Sequence, residues 1–191
     1  SNVLFDHGGT NTKVNKTQAD LDAIAASYEN AYYVVSIDKK TETFDDDVDV
    51  DQVVNIVLKK ANQKLHVHYI NITGSTKTSG FIPSDGKEFI DAEQLVEGDS
   101  GAAYTNKLVY PKGYELVEKD SEATAGVFDQ DKTVDQDAYV YVKGSNQRVV
   151  YNVINDSTGS KIESDRLFDE GPSDTKLNKT QNDLQQIANT Y

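Results

Sequence analysis

One passage occurs twice in this chain. Leu4 to Tyr28 reads LFDHGGTNTKVNKTQADLDAIAASY, and Leu167 to Tyr191 reads LFDEGPSDTKLNKTQNDLQQIANTY. The offset is 163 residues without a gap, and 15 of the 25 positions are identical. A duplication of this length restricts the fold to units that can occur in series, with the same local structure built twice. It predicts a chain slightly longer than one repeat of an array, with both ends inside repeats. Arrays of this kind present a surface in many copies, so avidity can replace single-site affinity.

A shorter period lies inside the first. Phe44 opens FDDDVDVDQ and Phe128 opens FDQDKTVDQ, an offset of 84. Phe44, Asp45, Asp47, Asp51, Gln52 and Gln63 map to Phe128, Asp129, Asp131, Asp135, Gln136 and Gln147. The chain therefore divides on paper into residues 1–61, 62–145 and 146–191, with junctions near Ala61-Asn62 and Ser145-Asn146. The first segment lacks an opening strand, and the third stops after a hairpin and a helix. Ser1 and Asn2 read as an expression remnant.

The paired copies give the expected strand faces. Val54, Ile56 and Leu58 align with Ala138, Val140 and Val142, all apolar, and alternate with residues of mixed polarity. That assigns Tyr139 and Tyr141 to the outer face. In the next strand Leu65, Val67 and Tyr69 align with Val149, Tyr151 and Val153, leaving His66 and His68 on the other face. ITGS (72–75) and STGS (157–160) supply the glycine of a tight turn. Each turn should lead into a second hairpin strand, ending near Phe81 and Phe168. Thr17 and Asp20 have capping-box spacing, and Asn15 is a second N-cap candidate. Leu21, Ile24, Ala25 and Tyr28 form an apolar stripe at helical spacing, repeated by Leu184, Ile187, Ala188 and Tyr191. The order is hairpin, helix, two strands. It predicts an α+β fold of tandem β-grasp-like (ubiquitin-like) modules in an elongated array. Glu88 to Val96 and Tyr104 to Tyr110 have no helical pattern, so more strand and loop is expected there.

Charge narrows the partners. A net charge of -13 argues against nucleic acid or an anionic membrane, which need clustered Lys and Arg. With no cysteine, disulfides, thiolate metal sites and a cysteine nucleophile are excluded. Low hydrophobic content, 37% with a mean hydropathy of -0.62, fits small modules rather than one large core.

Few residues point to chemistry. No GxSxG or HExxH motif is present, and an enzyme is not expected. Gly8-Gly9 with Lys13 does not match a phosphate-binding loop and reads as a turn. His66-x-His68 places two imidazoles on one strand face, but the sequence offers no third metal ligand. No cofactor is expected. The calcium candidates are Asp45, Asp47 and Asp51 and their copies Asp129, Asp131 and Asp135. These runs lack the Gly and Glu of an EF-hand, and turn-building is the simpler reading. Aromatic rings can stack on sugar faces, so Tyr104, Tyr110, Tyr139 and Tyr141 are the ligand-binding candidates. For Tyr139 and Tyr141 a cross-strand pair stabilising the sheet is the simpler reading.

Four segments carry a resemblance: QKLHVHYINITGSTKTSG (63–80), GDSGAAYTNKLVYPKGYELV (98–117), VYNVINDSTGSKIES (150–164) and the twice-used FDxDxxxDQ block. They resemble the mucus-binding (Mub, MucBP) repeats of lactobacillus surface proteins, along nearly the whole chain. The resemblance implies B1-like modules at 1–61 and 146–191, similar in fold to the immunoglobulin-binding domain of protein L, and a B2-like module at 62–145. It implies an extracellular, cell-wall-anchored adhesin of a Gram-positive bacterium that binds mucin glycans. Immunoglobulin capture and a structural spacer are the alternatives. It carries no catalytic or ligand motif across. A further expectation is head-to-tail self-association, in which residues 146–166 of one chain complete the sheet of residues 3–60 of another.

Overall fold

The computed structural model describes residues 3–191; Ser1 and Asn2 lie outside the described residues. The architecture is α+β. Helix α1 (Gln18–Ala26) is followed by strands β1 (Tyr32–Ile37), β2 (Ile56–Lys60), β3 (Asn62–Asn71), β4 (Lys87–Glu88), β5 (Gln94–Asp99), β6 (Ala103–Thr105), β7 (Tyr114–Lys119), β8 (Ala125–Val127), β9 (Gln136–Gly144), β10 (Asn146–Ile154) and β11 (Lys161–Pro172), and then by helix α2 (Gln181–Ala188). Short 3-10 turns at Pro83–Asp85, Ile90–Ala92 and Ser121–Ala123 fill the middle segment. The largest sheet has the order β4-β3-β9-β7, with β5 also on β3; β1-β2, β6-β8 and β10-β11 are two-stranded.

Packing gathers residues 3–66, 95–105 and 125–137 into one compact unit, and 67–94, 106–124 and 138–191 into another. Neither junction expected from the sequence separates these units. Ala61 lies within the first, its N–H donating to Ala31 O and its carbonyl accepting from Ser100 N–H, both at 2.9 Å. Ser145 lies within the second and makes the corresponding pair, donating to Gly113 O at 2.8 Å and accepting from Ser173 N–H at 2.9 Å.

In the first unit, Leu21 and Ala25 of α1 are buried, while Ile24 and Tyr28 of the same stripe stay exposed. On and beside β2, Val54, Ile56 and Leu58 are half-buried and Val53 and Val57 are exposed, the alternation expected. Val14 is buried where its N–H donates to Glu42 O (3.0 Å). Nearby, the ring of Phe44 lies where a Cβ on Gly8 would come within 2.3 Å. In the second unit, Ala138, Val140 and Val142 of β9 are fully buried, as are Val67 and Tyr69 of β3.

No hairpin strand follows the turn after β3. Residues 72–86 instead run as loop and 3-10 turn. Phe81 from this stretch joins Ile70, Ile72 and Tyr141 in a buried cluster. Here the expected faces need correction: Tyr141 is not on an outer face but is 3% exposed, because the sheet face it occupies is covered by this segment.

The duplicated passage repeats its side-chain hydrogen bonds. Asp6 Oδ2 accepts from Asn15 N–H (2.6 Å) and Lys16 N–H (2.9 Å); Asp169 Oδ2 accepts from Asn178 N–H (2.6 Å) and Lys179 N–H (2.8 Å). Thr17 N–H and hydroxyl both donate to Asp20, and Thr180 does the same to Asp183. Asn11 and Asp174 take matching left-handed conformations, φ 57° and 58°, a region that Asn and Asp tolerate better than other side chains.

Candidate functional site

The four tyrosines picked from the sequence do not converge. In the first unit Tyr104 is buried against Phe128, ring centroids 4.8 Å apart. In the second unit Tyr141 is buried beside Phe81, at 5.6 Å. Burial, with the carboxylates of Asp120 and Glu118 nearby, pushes its hydroxyl up to about 12. It stays neutral and is out of reach of a ligand. Tyr139 is half-buried and stacks on His68 at 5.2 Å. Tyr110 alone of the four is exposed, at 39%, with its ring packed edge-on against Tyr69 at 6.3 Å.

The acidic runs build turns. Gln52 Oε1 accepts from Asp45 N–H (3.2 Å) and Gln136 Oε1 from Asp129 N–H (3.1 Å), one clamp in both copies. Asp47 Oδ1 accepts from Asp49 N–H, Asp129 Oδ1 from Asp131 N–H, and Asp131 Oδ1 from both Thr133 N–H and hydroxyl. The Thr133 bonds hold the Asp131 carboxyl below its usual range. Asp51 is exposed in the loop before β2, and Asp135, just before β9, places its Oδ2 3.3 Å from His66 Nε2.

Two features of the second unit were not legible from sequence. The first is a shallow groove of about 340 Å³ whose lining includes Thr73, Ser75, Lys77, Phe81, Lys143 and Pro172. Hydroxyls and two ammonium groups meet here in a strongly acidic chain, with Lys77 Nζ 5.6 Å from the centroid of the buried Phe81 ring. Lys77 is anchored by Asp85 and Lys143 by Glu115 (3.3 Å). Lys77 in turn holds the Asp85 carboxyl low. The hydroxyl-rich run 73–79 was the available signal, but only the fold brings Lys143 and Pro172 to it.

The second feature is a cluster of His68, Glu88 and Glu93. Among the described residues it is the one group of three that brings metal-ligating atoms within 4.8 Å of one another. His68 Nδ1 lies 2.6 Å from Glu88 Oε1 and 3.9 Å from Glu93 Oε2. No local spacing signals it, because Glu88 reaches the histidine only through the β3-β4 pairing. The chain matches no family model and no curated protein.

Proposed function

We propose that this chain is a repeat unit of a bacterial surface adhesin that holds host mucin glycans and acts by binding, without turnover. In this reading, β-grasp-like modules at 1–61, 62–145 and 146–191 follow one another in series, outside a Gram-positive cell and anchored to its wall. The observation that carries it is repetition down to individual hydrogen bonds. The Asp6 and Asp169 clamps, the two capping boxes and the two Asp–Gln loop clamps are the signature of a module used many times, which suits avidity. The groove beside Lys77 and Lys143 offers polar partners that suit a sugar: the hydroxyls of Thr73 and Ser75, and cations for an acidic sugar.

Retention of the chain on immobilised mucin tests this. Periodate treatment of the glycans should abolish retention, and Lys77→Glu with Lys143→Glu should weaken it. Retention that survives periodate would contradict glycan binding, and no retention at all would favour a spacer. One observation favours immunoglobulin capture as the second reading. Strand β1 pairs only with β2 and exposes Tyr33 and Val35; Lys132 Nζ caps one end by donating to Tyr32 O (3.0 Å), and the rest of the strand has no second strand partner, which suits strand addition. That β1-β2 and β10-β11 are each two-stranded would likewise support head-to-tail association of copies through strand pairing.

A further inference from the structure

We infer that His68, Glu88 and Glu93 form a zinc-type divalent metal site. The inference is independent of the mucin reading and concerns a different part of the second unit.

Three separate backbone elements deliver the ligands. His68 stands on β3, where the ring lies against that of Tyr139 at an interplanar angle of 23°. Stacking of this kind fixes the ring plane before any ion arrives. Glu88 stands on β4, held beside β3 by the pairing of Ile70 with Glu88 and Asn71 with Lys87. Glu93 follows the 3-10 turn Ile90–Ala92, and that turn is tied back by Phe89 N–H donating to Tyr69 O (2.9 Å) and Ala92 N–H to Phe89 O (3.0 Å). The site is thus built on paired strands and a bonded turn, not on a free loop.

The donor set is one imidazole nitrogen and two carboxylates. That set suits zinc, with the fourth position left for water or a ligand group. Bonds of about 2.0–2.2 Å in a tetrahedron place neighbouring ligand atoms about 3.3–3.5 Å apart. The observed separations from His68 Nδ1, 2.6 and 3.9 Å, straddle that distance. Small side-chain rotations would equalise them. The imidazole is 17% exposed, while Glu88 and Glu93 are 41% and 34% exposed, so an ion can enter from the carboxylate side. Two carboxylates facing one imidazole also leave an excess of negative charge that a divalent ion would neutralise.

The duplication supplies an internal control. Residue 152, the counterpart of His68 in the next copy, is asparagine. The third segment therefore lacks the histidine. Zinc would pin residues 87–93 to β3.

Calorimetric titration of chelator-stripped chain with Zn²⁺ tests the site, read together with thermal unfolding. One equivalent should bind. Zinc at about 100 times its dissociation constant should raise the unfolding temperature of the cooperative region holding the site by about 10–20 °C. Glu93→Gln, which keeps shape and removes charge, and His68→Gln should each weaken binding at least tenfold. His66→Gln should leave it unchanged. Circular dichroism of each variant confirms folding. Absence of saturable binding overturns the inference, as does equal affinity in the folded Glu93→Gln variant. Loss in His66→Gln with retention in His68→Gln also overturns it, by moving the ion elsewhere.

Discussion

Residues 4–28 and 167–191 carry nearly the same passage in two surroundings. In the first, residues 4–9 are not part of any strand; in the second, residues 167–172 complete β11, paired with residues 146–150 of β10. Val14 is buried and its counterpart Leu177 is 51% exposed. Ala25 is buried and Ala188 exposed. Yet the aspartate clamp, the capping box and the left-handed residue are the same in both. The difference teaches which layer of structure belongs to the passage itself. Side-chain-to-backbone bonds within a dozen residues are dictated locally. Strand pairing and burial come from whatever chain lies alongside: residues 42–44 for Val14, β10 for β11.

The largest expected effect separates the two helices. Leu21 is 2% exposed and Leu184 is half-buried. Leu21→Ala should cost about 3 kcal/mol, and Leu184→Ala about 1 kcal/mol, in urea unfolding of each variant. Equal costs would break the comparison. Next comes Gly8→Ala, whose new methyl meets the Phe44 ring; it should destabilise by about 1–3 kcal/mol. Gly171→Ala meets only the Thr175 hydroxyl, at 3.3 Å, and should be far milder.

The smallest difference is expected where the copies agree. Backbone donors, chiefly Lys16 N–H and Lys179 N–H, hold the Asp6 and Asp169 carboxyls below their usual value of 3.8. A carboxyl whose folded pKa is depressed stabilises above the unfolded value, and that contribution is lost as pH falls through the folded one. Stability should therefore fall below about pH 4. Asp6→Asn and Asp169→Asn should each flatten that acid limb to a similar degree, measured by thermal unfolding between pH 5 and 2.5. A much larger effect at one site would mean that the clamp is not autonomous.

The sequence made the α+β class, both helices, the capping boxes, the burial alternation of β2 and β3 and the buried face of β9 legible, because each rests on short-range pattern. It misplaced Tyr141, since the residue that covers it, Phe81, sits 60 positions earlier on a segment with no periodic signal. It read Ile24 and Tyr28 as core because a helical stripe says which side can be buried, not how much partner surface is there. His68 was noticed, but its partners Glu88 and Glu93 are assembled by pairing and a 3-10 turn. The lysines of the groove were missed for the same reason.

Amide hydrogen exchange, residue by residue, tests most directly the claim that neighbours, not the passage, supply burial. The account predicts that amides in the last turn of α1, near Ala25, exchange at least tenfold more slowly than their counterparts near Ala188 in α2, as expected where packing rather than helix bonding sets protection. Equal protection in the two helices would contradict it.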